Sequence, residues 1–278
     1  MNIVGLGQAG CAVARKFANY PQYSVYQIDA GIKGAKKDGI FNVPKLSGAE
    51  AYEESFPSTK TFFKNVSGDV LFILAGSGHI SGASLRVLEH LRRHNVSILY
   101  IRPDTTLLRG ERKLIERITF NVLQQYTRSG VFNKMYIINN VDLEKIVGDV
   151  PLTEHHDRIN ELITSTVHMV NVYSHVEPVY DYPVEDDTKA RIATIGLLDV
   201  NTGEEKLFFP LDSVTEKCYY YAISDESLNT DATLHRKITE QIKEKTTEEL
   251  NIGYSIYSTE YDQNYGYLIA NSSEIQLE

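Results

Sequence analysis

The stretch Leu152 to Val176, LTEHHDRINELITSTVHMVNVYSHV, is the longest helical pattern in the sequence. Its apolar residues recur at spacings of one, three and four, and they cover more than the single stripe of a surface helix. Its first two turns are polar, and Pro178 and Pro183 prevent the helix from running far beyond Val176. We therefore predict a helix buried on two sides, whose polar start can reach a ligand and whose shaft joins two domains.

The composition is that of a soluble globular protein, because 42% of its 278 residues are apolar and no apolar run is long enough to span a membrane. The formal charge of −9 argues against nucleic acid as a dominant partner, and no membrane partner is expected. Cys11 and Cys218 form neither a disulfide framework nor a metal-binding pattern. Strand-like sequence from Asn2 leaves no room for a signal peptide, so we expect a cytoplasmic protein.

The amino-terminal segment predicts a strand from Asn2 to Leu6, a glycine turn, Gly7-Gln8-Ala9-Gly10, and a helix. Glycines let the backbone approach a phosphate, and the free N–H groups at a helix start attract negative charge. The turn also satisfies GxGxxG from Gly5, and Asp29 follows the second strand, about where a dinucleotide fold has its ribose-binding acid. A tight turn without a ligand is the alternative.

A second glycine turn, Ala75 to Gly82, follows the predicted strand Val70 to Leu74. In a doubly wound sheet, adjacent strand ends form one crevice, so two such turns can hold the phosphates of one ligand from two sides. An NAD-dependent oxidoreductase does not require the second turn. The Ser81 hydroxyl is suited either to donate to a phosphate or to cap the following helix.

The rest of the first half alternates strand and helix after a loop-like region from Gly31 to Pro57. This alternation predicts an α/β domain with a doubly wound, mainly parallel sheet. Asn140 follows a strand at the same edge and offers both a donor and an acceptor to a purine, although it also suits an ordinary turn.

From Ala190 onward, strands with little helix between them indicate a smaller α+β domain with one clear helix, Asp231 to Lys245. The predicted organisation is a nucleotide-binding domain over residues 1–152, a central connecting helix over 153–177, and a carboxyl-terminal domain over 178–278.

Four separated segments resemble the tubulin/FtsZ superfamily. Gly7 to Gly10 resembles the GQAG of the first nucleotide loop in tubulins, and Gly76 to Ser84 resembles a degenerate copy of the signature GGGTG[ST]G. In the second segment His79 and Ile80 replace two glycines, Ser81 stands for the threonine, and Gly82 is retained.

The other two segments resemble the family's base-binding elements. The stretch Ile137 to Leu143 is similar to the segment whose asparagine contacts guanine, and that asparagine corresponds to Asn140. The helix start at His156 resembles the head of the central tubulin helix, which implies that His156 stacks on the base and Asn160 reads guanine. Residues four apart share a helix face, whereas adjacent His155 and His156 point to different faces, so no metal site is predicted.

The resemblance implies a protein that binds GTP or GDP with Mg²⁺ and assembles with itself, head to tail, into cytoskeletal filaments. It also implies that Tyr254 to Ser272 forms the family's final hairpin. The nucleotide-binding residues that it implies are Gly7, Gln8, Ala9, Gly10, Cys11, Gly76, Ser77, Gly78, His79, Ile80, Ser81, Gly82, Asn140, His156 and Asn160.

The sequence departs from the family where the catalytic loop is expected. The stretch Glu177 to Asp187 contains no glycine and no GxxNxD pattern. Glu185 and Asp186 lie 25 and 26 residues after Asn160, about the family's spacing, and are the candidate catalytic acids. GTP hydrolysis is therefore expected to be weak or altered, which leaves GTPase activity open. The alternatives are a non-polymerising guanine-nucleotide-binding module of the same fold and an NAD-dependent oxidoreductase.

Overall fold

The computed structural model describes residues 1–34, 38–184 and 189–277. The chain divides into two units, Met1–Thr164 and Ser165–Glu278. The boundary between them falls inside the long helix whose pattern dominates the sequence.

The first unit is built on a parallel sheet with the strand order β3-β2-β1-β4-β5-β6. Its central strands are buried along nearly their whole length, as expected for a sheet that is covered on both faces. The strands are β1 (Asn2–Leu6), β2 (Ser24–Ala30), β3 (Ile40–Val43), β4 (Asp69–Ala75), β5 (Asn95–Arg102) and β6 (Lys134–Asn139).

Helices connect these strands and bury their apolar faces. They are α1 (Gly7–Lys16), α2 (Ala49–Ser55), α3 (Ser84–Leu91), α4 (Gly110–Arg128) and α5 (Asn140–Val147), with 3-10 turns at Phe17–Asn19 and His79–Ala83. The doubly wound, mainly parallel sheet is confirmed. The expectation of a loop from Gly31 to Pro57 is wrong, because β3 and α2 lie within it; with four and seven residues, both are too short to give a clear periodic pattern.

The long helix, α6 (Leu152–Tyr173), has an exposed polar start and a covered shaft. Every residue from Leu162 to Tyr173 is buried or half-buried, as the apolar pattern predicts. The helix ends before Val176 in a tighter turn, in which the His175 N–H donates to the Val172 carbonyl at 2.9 Å.

The second unit contains a mixed sheet with the strand order β8-β12-β10-β11-β7, and β9 pairs with β8. Ile238 and Ile242 pack into the core of this unit with Tyr221 and Ile256. The strands and helices are β7 (Tyr180–Tyr182), β8 (Ile192–Leu198), β9 (Glu205–Leu207), β10 (Val214–Ser224), α7 (Asp225–Thr230), α8 (Leu234–Lys245), β11 (Asn251–Thr259) and β12 (Tyr265–Ser272).

The final two strands are not a hairpin, which corrects the expectation for Tyr254 to Ser272. Strand β10 lies between them, parallel to β11 and antiparallel to β12. The chain leaves β10, passes through α7 and α8, and returns as a parallel neighbour, because a parallel pair requires such a crossover.

No helix among the described residues is both long enough and apolar enough to cross a membrane.

Candidate functional site

The two glycine turns follow the two strands at which the order of the first sheet reverses. From β1 the chain proceeds outward to β2 and β3, and it then returns to add β4 on the other side of β1. Strands β1 and β4 are parallel and in register, with Leu6 opposite Leu74. Their carboxyl ends therefore open side by side, and in open α/β sheets such a switch point is where ligands bind.

The first turn passes directly into α1 in a conformation that requires glycine. Gly7 has a φ of +73°, in the left-handed region. Gly10 lies so close to β4 that an added Cβ would be 2.3 Å from the Ile73 carbonyl oxygen. The helix start is thus held against the switch point. Gln8 is exposed there, and Ala9 is half-buried.

The buried side chain of Cys11 helps to hold this turn in place. Its thiol is buried and lies 3.4 Å from the Gly5 carbonyl oxygen and 3.5 Å from that of Ile28. Burial, with the nearby Asp29 carboxylate, raises the pKa of Cys11 to about 12. The thiol therefore stays protonated and joins α1 to β1 and β2.

The second turn is held by Ser81. Its hydroxyl lies 2.8 Å from the Gly76 carbonyl oxygen and 2.7 Å from that of Gly78, and its N–H donates to Gly78 at 2.9 Å. Ser81 does not cap α3, whose N-cap position is Ala83. In this arrangement the Ser81 side chain holds the shape of the turn. Gly78 is open, since a Cβ added there would meet no atom within 4 Å.

The two turns touch each other. A Cβ added to Gly7 would lie 2.8 Å from Cγ2 of Ile80, which is one of the residues that replace a signature glycine. The turns thus pack against each other at the switch point. Ser77, His79 and Ile80 are half-buried around it.

A buried polar cluster, which the sequence did not predict, lies behind the second turn. The Tyr100 hydroxyl is 3.4 Å from Oε1 of Glu116, and Nε of Arg102 donates to the same oxygen at 3.2 Å. Arg102 also lies over the Phe120 ring at 4.3 Å. Burial, followed by the Glu116 charge, raises the pKa of Tyr100 well above its ordinary value. The only sequence signal was a tyrosine and an arginine at the end of a largely apolar strand.

The adjacent asparagines at the end of β6 have different roles. Asn139 is the N-cap of α5 and accepts the Asp142 N–H at 2.7 Å. Asn140 is the first residue of that helix and is half-buried, and its amide has no hydrogen-bond partner among the described residues. Its donor and acceptor are therefore available to a ligand.

The head of α6 lies beside α1. Nζ of Lys16 is 2.7 Å from Oδ1 of Asp157, an ion pair that joins the two helices. His156 is exposed, with its ring centroid 5.5 Å from that of His155. Asn160 is half-buried, and within the described part of the chain nothing hydrogen-bonds to its amide.

Three further residues that the sequence suggested have different outcomes. Glu185 and Asp186 lie outside the described residues. Asp29 is at the end of β2, where its Oδ1 accepts the Ala30 N–H at 2.8 Å and burial raises its pKa.

Within residues 1–34, 38–184 and 189–277, no three His, Cys, Asp or Glu side chains are grouped so as to hold a metal ion.

No family model and no curated protein matches the sequence. Solved structures, in contrast, match almost the whole chain.

A GTPγS-form protofilament of TubZ from Bacillus thuringiensis serovar israelensis aligns with a TM-score of 0.67 and 15% identity, over 97% of this chain and 86% of that one. An FtsZ dimer from M. jannaschii aligns with a TM-score of 0.68 and 15% identity, over 98% of this chain and 87% of that one. A GTPγS-bound protofilament of CetZ2 from Haloferax volcanii gives a TM-score of 0.62 and 13% identity, over 97% and 92% of the two chains. At such low identity the likeness is one of fold.

Proposed function

We propose that this chain, which has the tubulin/FtsZ-superfamily fold, binds a guanine nucleotide and assembles head to tail into filaments. The observation that carries the proposal is the close approach of Ile80 to Gly7, which brings the two glycine turns together at the switch point of the sheet. A single tight turn would need no second glycine segment at the same edge.

In this proposal the nucleotide's phosphates bind at the two turns. The start of α1 offers backbone N–H groups and the positive end of a helix dipole to them. Gly78 leaves open space beside the phosphates. Mg²⁺ bound to the phosphates would neutralise their charge.

We propose that the guanine base is read by the side-chain amides of Asn140 and Asn160. Each amide presents a donor and an acceptor, which is what the edge of guanine requires. His156 is exposed one helical turn before Asn160, on the same side of α6, and its ring would stack on the base.

Filament formation is supported by the structures that share the fold. The TubZ structures are protofilaments in GTPγS and GDP forms, and the CetZ2 structure is a GTPγS-bound protofilament. A head-to-tail contact that does not close into a ring gives an open polymer.

Glu185 and Asp186 are the candidate acids for orienting the attacking water during hydrolysis. The absence of the GxxNxD pattern from Glu177 to Asp187 favours weak or altered turnover. The same absence favours a second candidate function, in which the protein binds guanine nucleotide but does not polymerise.

The first experiment identifies the ligand. Nucleotide released by heating the purified protein should chromatograph as GTP or GDP, and titration should show a preference for GTP over ATP. Asn160→Ala should reduce this preference by about 1–3 kcal/mol, because its amide pairs with the base in a partly buried site. Glu161→Ala, at the next and exposed position, is the matched control. Release of NAD, or unchanged selectivity in Asn160→Ala, would contradict the assignment.

The second experiment separates the two candidate functions. Sedimentation with GTP, GDP and no nucleotide should pellet the protein only when a polymer forms. A protein that binds GTP but stays in the supernatant under all three conditions is the non-polymerising module.

A further inference from the structure

A groove lies behind the second glycine turn, within the first unit, and the proposed nucleotide function makes no use of it. It encloses about 630 Å³ between α2, Ser81 and Gly82 of the turn, and the outer face of α4. We call it the α2–α4 groove. Leu85, Leu114 and Ile118 contribute apolar surface to it.

Helix α4 has apolar residues on two faces. Phe120 and Leu123 are buried in the first unit. Leu114 and Ile118, one helical turn apart on the outer face, are 56% and 52% exposed, and both line the groove. A helix that is covered on one side only should be polar on its outer face, so this second apolar stripe marks a contact surface.

The rim of the groove is acidic. Exposed Glu50, Glu53 and Glu54 of α2 line it, opposite Glu111 of α4, and its described lining contains no Lys, Arg or His. Basic side chains of two other residues touch the rim from outside. Nε of Arg86 donates to the Glu53 carbonyl at 2.9 Å, and Nε2 of His79 lies 3.5 Å from Oε2 of Glu111. The Glu50 and Glu54 carboxylates form no ion pair within the described chain.

We propose that the α2–α4 groove docks a basic amphipathic helix from another protein. Leu114 and Ile118 have the four-residue spacing that packs into a second helix, and the part of α4 that lines the groove, Glu111 to Leu123, extends about 20 Å, enough for about three turns of contact. Lysine or arginine flanking the partner's apolar face would meet the glutamates of the rim.

A second copy of the chain does not supply this helix through its basic helix α8. Lys237 and Lys243 are on α8, but its apolar residues Ile238 and Ile242 are buried in the core of the second unit. The basic helix α8 of a second copy therefore cannot offer the groove an apolar face, which favours a helix from another protein.

The test uses the full-length protein and a labelled synthetic peptide of leucine and lysine at helical spacing. A peptide of the same composition in scrambled order controls for simple attraction to an acidic protein. Fluorescence anisotropy should show the helical peptide binding at least about tenfold more tightly than the scrambled one. Because of the charged rim, binding should weaken as salt is raised.

Two variants locate the binding. Leu114→Gln combined with Ile118→Gln should weaken binding by at least about tenfold. Since both side chains are more than half exposed, the melting temperature should stay unchanged. Glu50→Gln combined with Glu54→Gln tests the rim without touching the apolar stripe. Val131→Gln, at an exposed apolar residue away from the groove lining, is the control.

Three results would overturn the proposal. They are equal binding of the scrambled peptide, unchanged binding in both groove variants, and a dimer in light scattering that is lost in the Leu114 and Ile118 variant. The last result would assign the groove to a second copy of this chain.

Discussion

At Gly76 a single added carbon is enough to disturb the second glycine turn. A Cβ there would lie 1.7 Å from the Tyr100 hydroxyl oxygen and 2.6 Å from Cζ of the same ring. The ring cannot retreat, because its hydroxyl is bound to Glu116 and it is completely buried. The shape of the turn therefore depends on a tyrosine that contacts no ligand.

We expect Gly76→Ala to destabilise the protein by about 1–3 kcal/mol through overpacking, and to weaken GTP binding because the turn must move. Tyr100→Phe in the same chain should restore part of both losses, since it removes the nearest atom. Gly78→Ala is the control for stability, because its Cβ would enter open space. Urea unfolding and GTP titration measure the two effects. Equal stability of Gly76→Ala and Gly78→Ala would show that Tyr100 does not constrain the turn.

At the scale of secondary-structure elements, a polar cluster around Glu205 holds β9 to its neighbours in the second unit. Lys217 of β10 and Lys245 of α8 lie 2.6 and 3.0 Å from its carboxylate, and the Tyr219 hydroxyl donates to it. Burial works to raise the pKa of Glu205, but these hydrogen bonds outweigh burial and hold the pKa below its ordinary value of 4.5. The charged carboxylate is therefore more favourable in the folded chain than in the unfolded one.

We expect Glu205→Gln to lower the free energy of unfolding at neutral pH by about 1–3 kcal/mol, because both lysines lose their counter-charge. A lowered folded-state pKa gives stability that is present above the unfolded value and is lost as pH falls through the folded one. The difference between the variant and the natural protein should therefore shrink below pH 4.5. Urea unfolding at several pH values measures it, with exposed Glu204→Gln as the control. A difference that does not change with pH would contradict the ionic role of Glu205.

The elements that the sequence predicted well were those with long or strongly periodic patterns. Strand β1 and helix α6 begin where the sequence indicated, and the fold prediction is confirmed by the solved structures. The order of the strands in the second sheet was harder to predict. A local sequence pattern does not show which strands are neighbours, and β10 lies between β11 and β12.

The site was predicted only in outline. The sequence identified both glycine turns but not the polar cluster behind them, because Glu116 in the middle of α4 has the pattern of a surface residue and yet is 1% exposed. The sequence also could not assign separate roles to Asn139 and Asn140. Either amide could have capped α5, and only the geometry shows that Asn139 does.

At the scale of the whole molecule, the proposed filament would depend on whether GTP is hydrolysed after assembly. Glu185→Ala combined with Asp186→Ala should leave GTP binding intact and slow phosphate release, because a carboxylate orients the attacking water. If hydrolysis drives disassembly, pelleted polymer should also persist longer. Asp187→Ala, in the same acidic stretch, is the matched control. Phosphate release at the original rate in the double variant, or equal slowing by Asp187→Ala, would mean that spacing from Asn160 does not identify the catalytic acid.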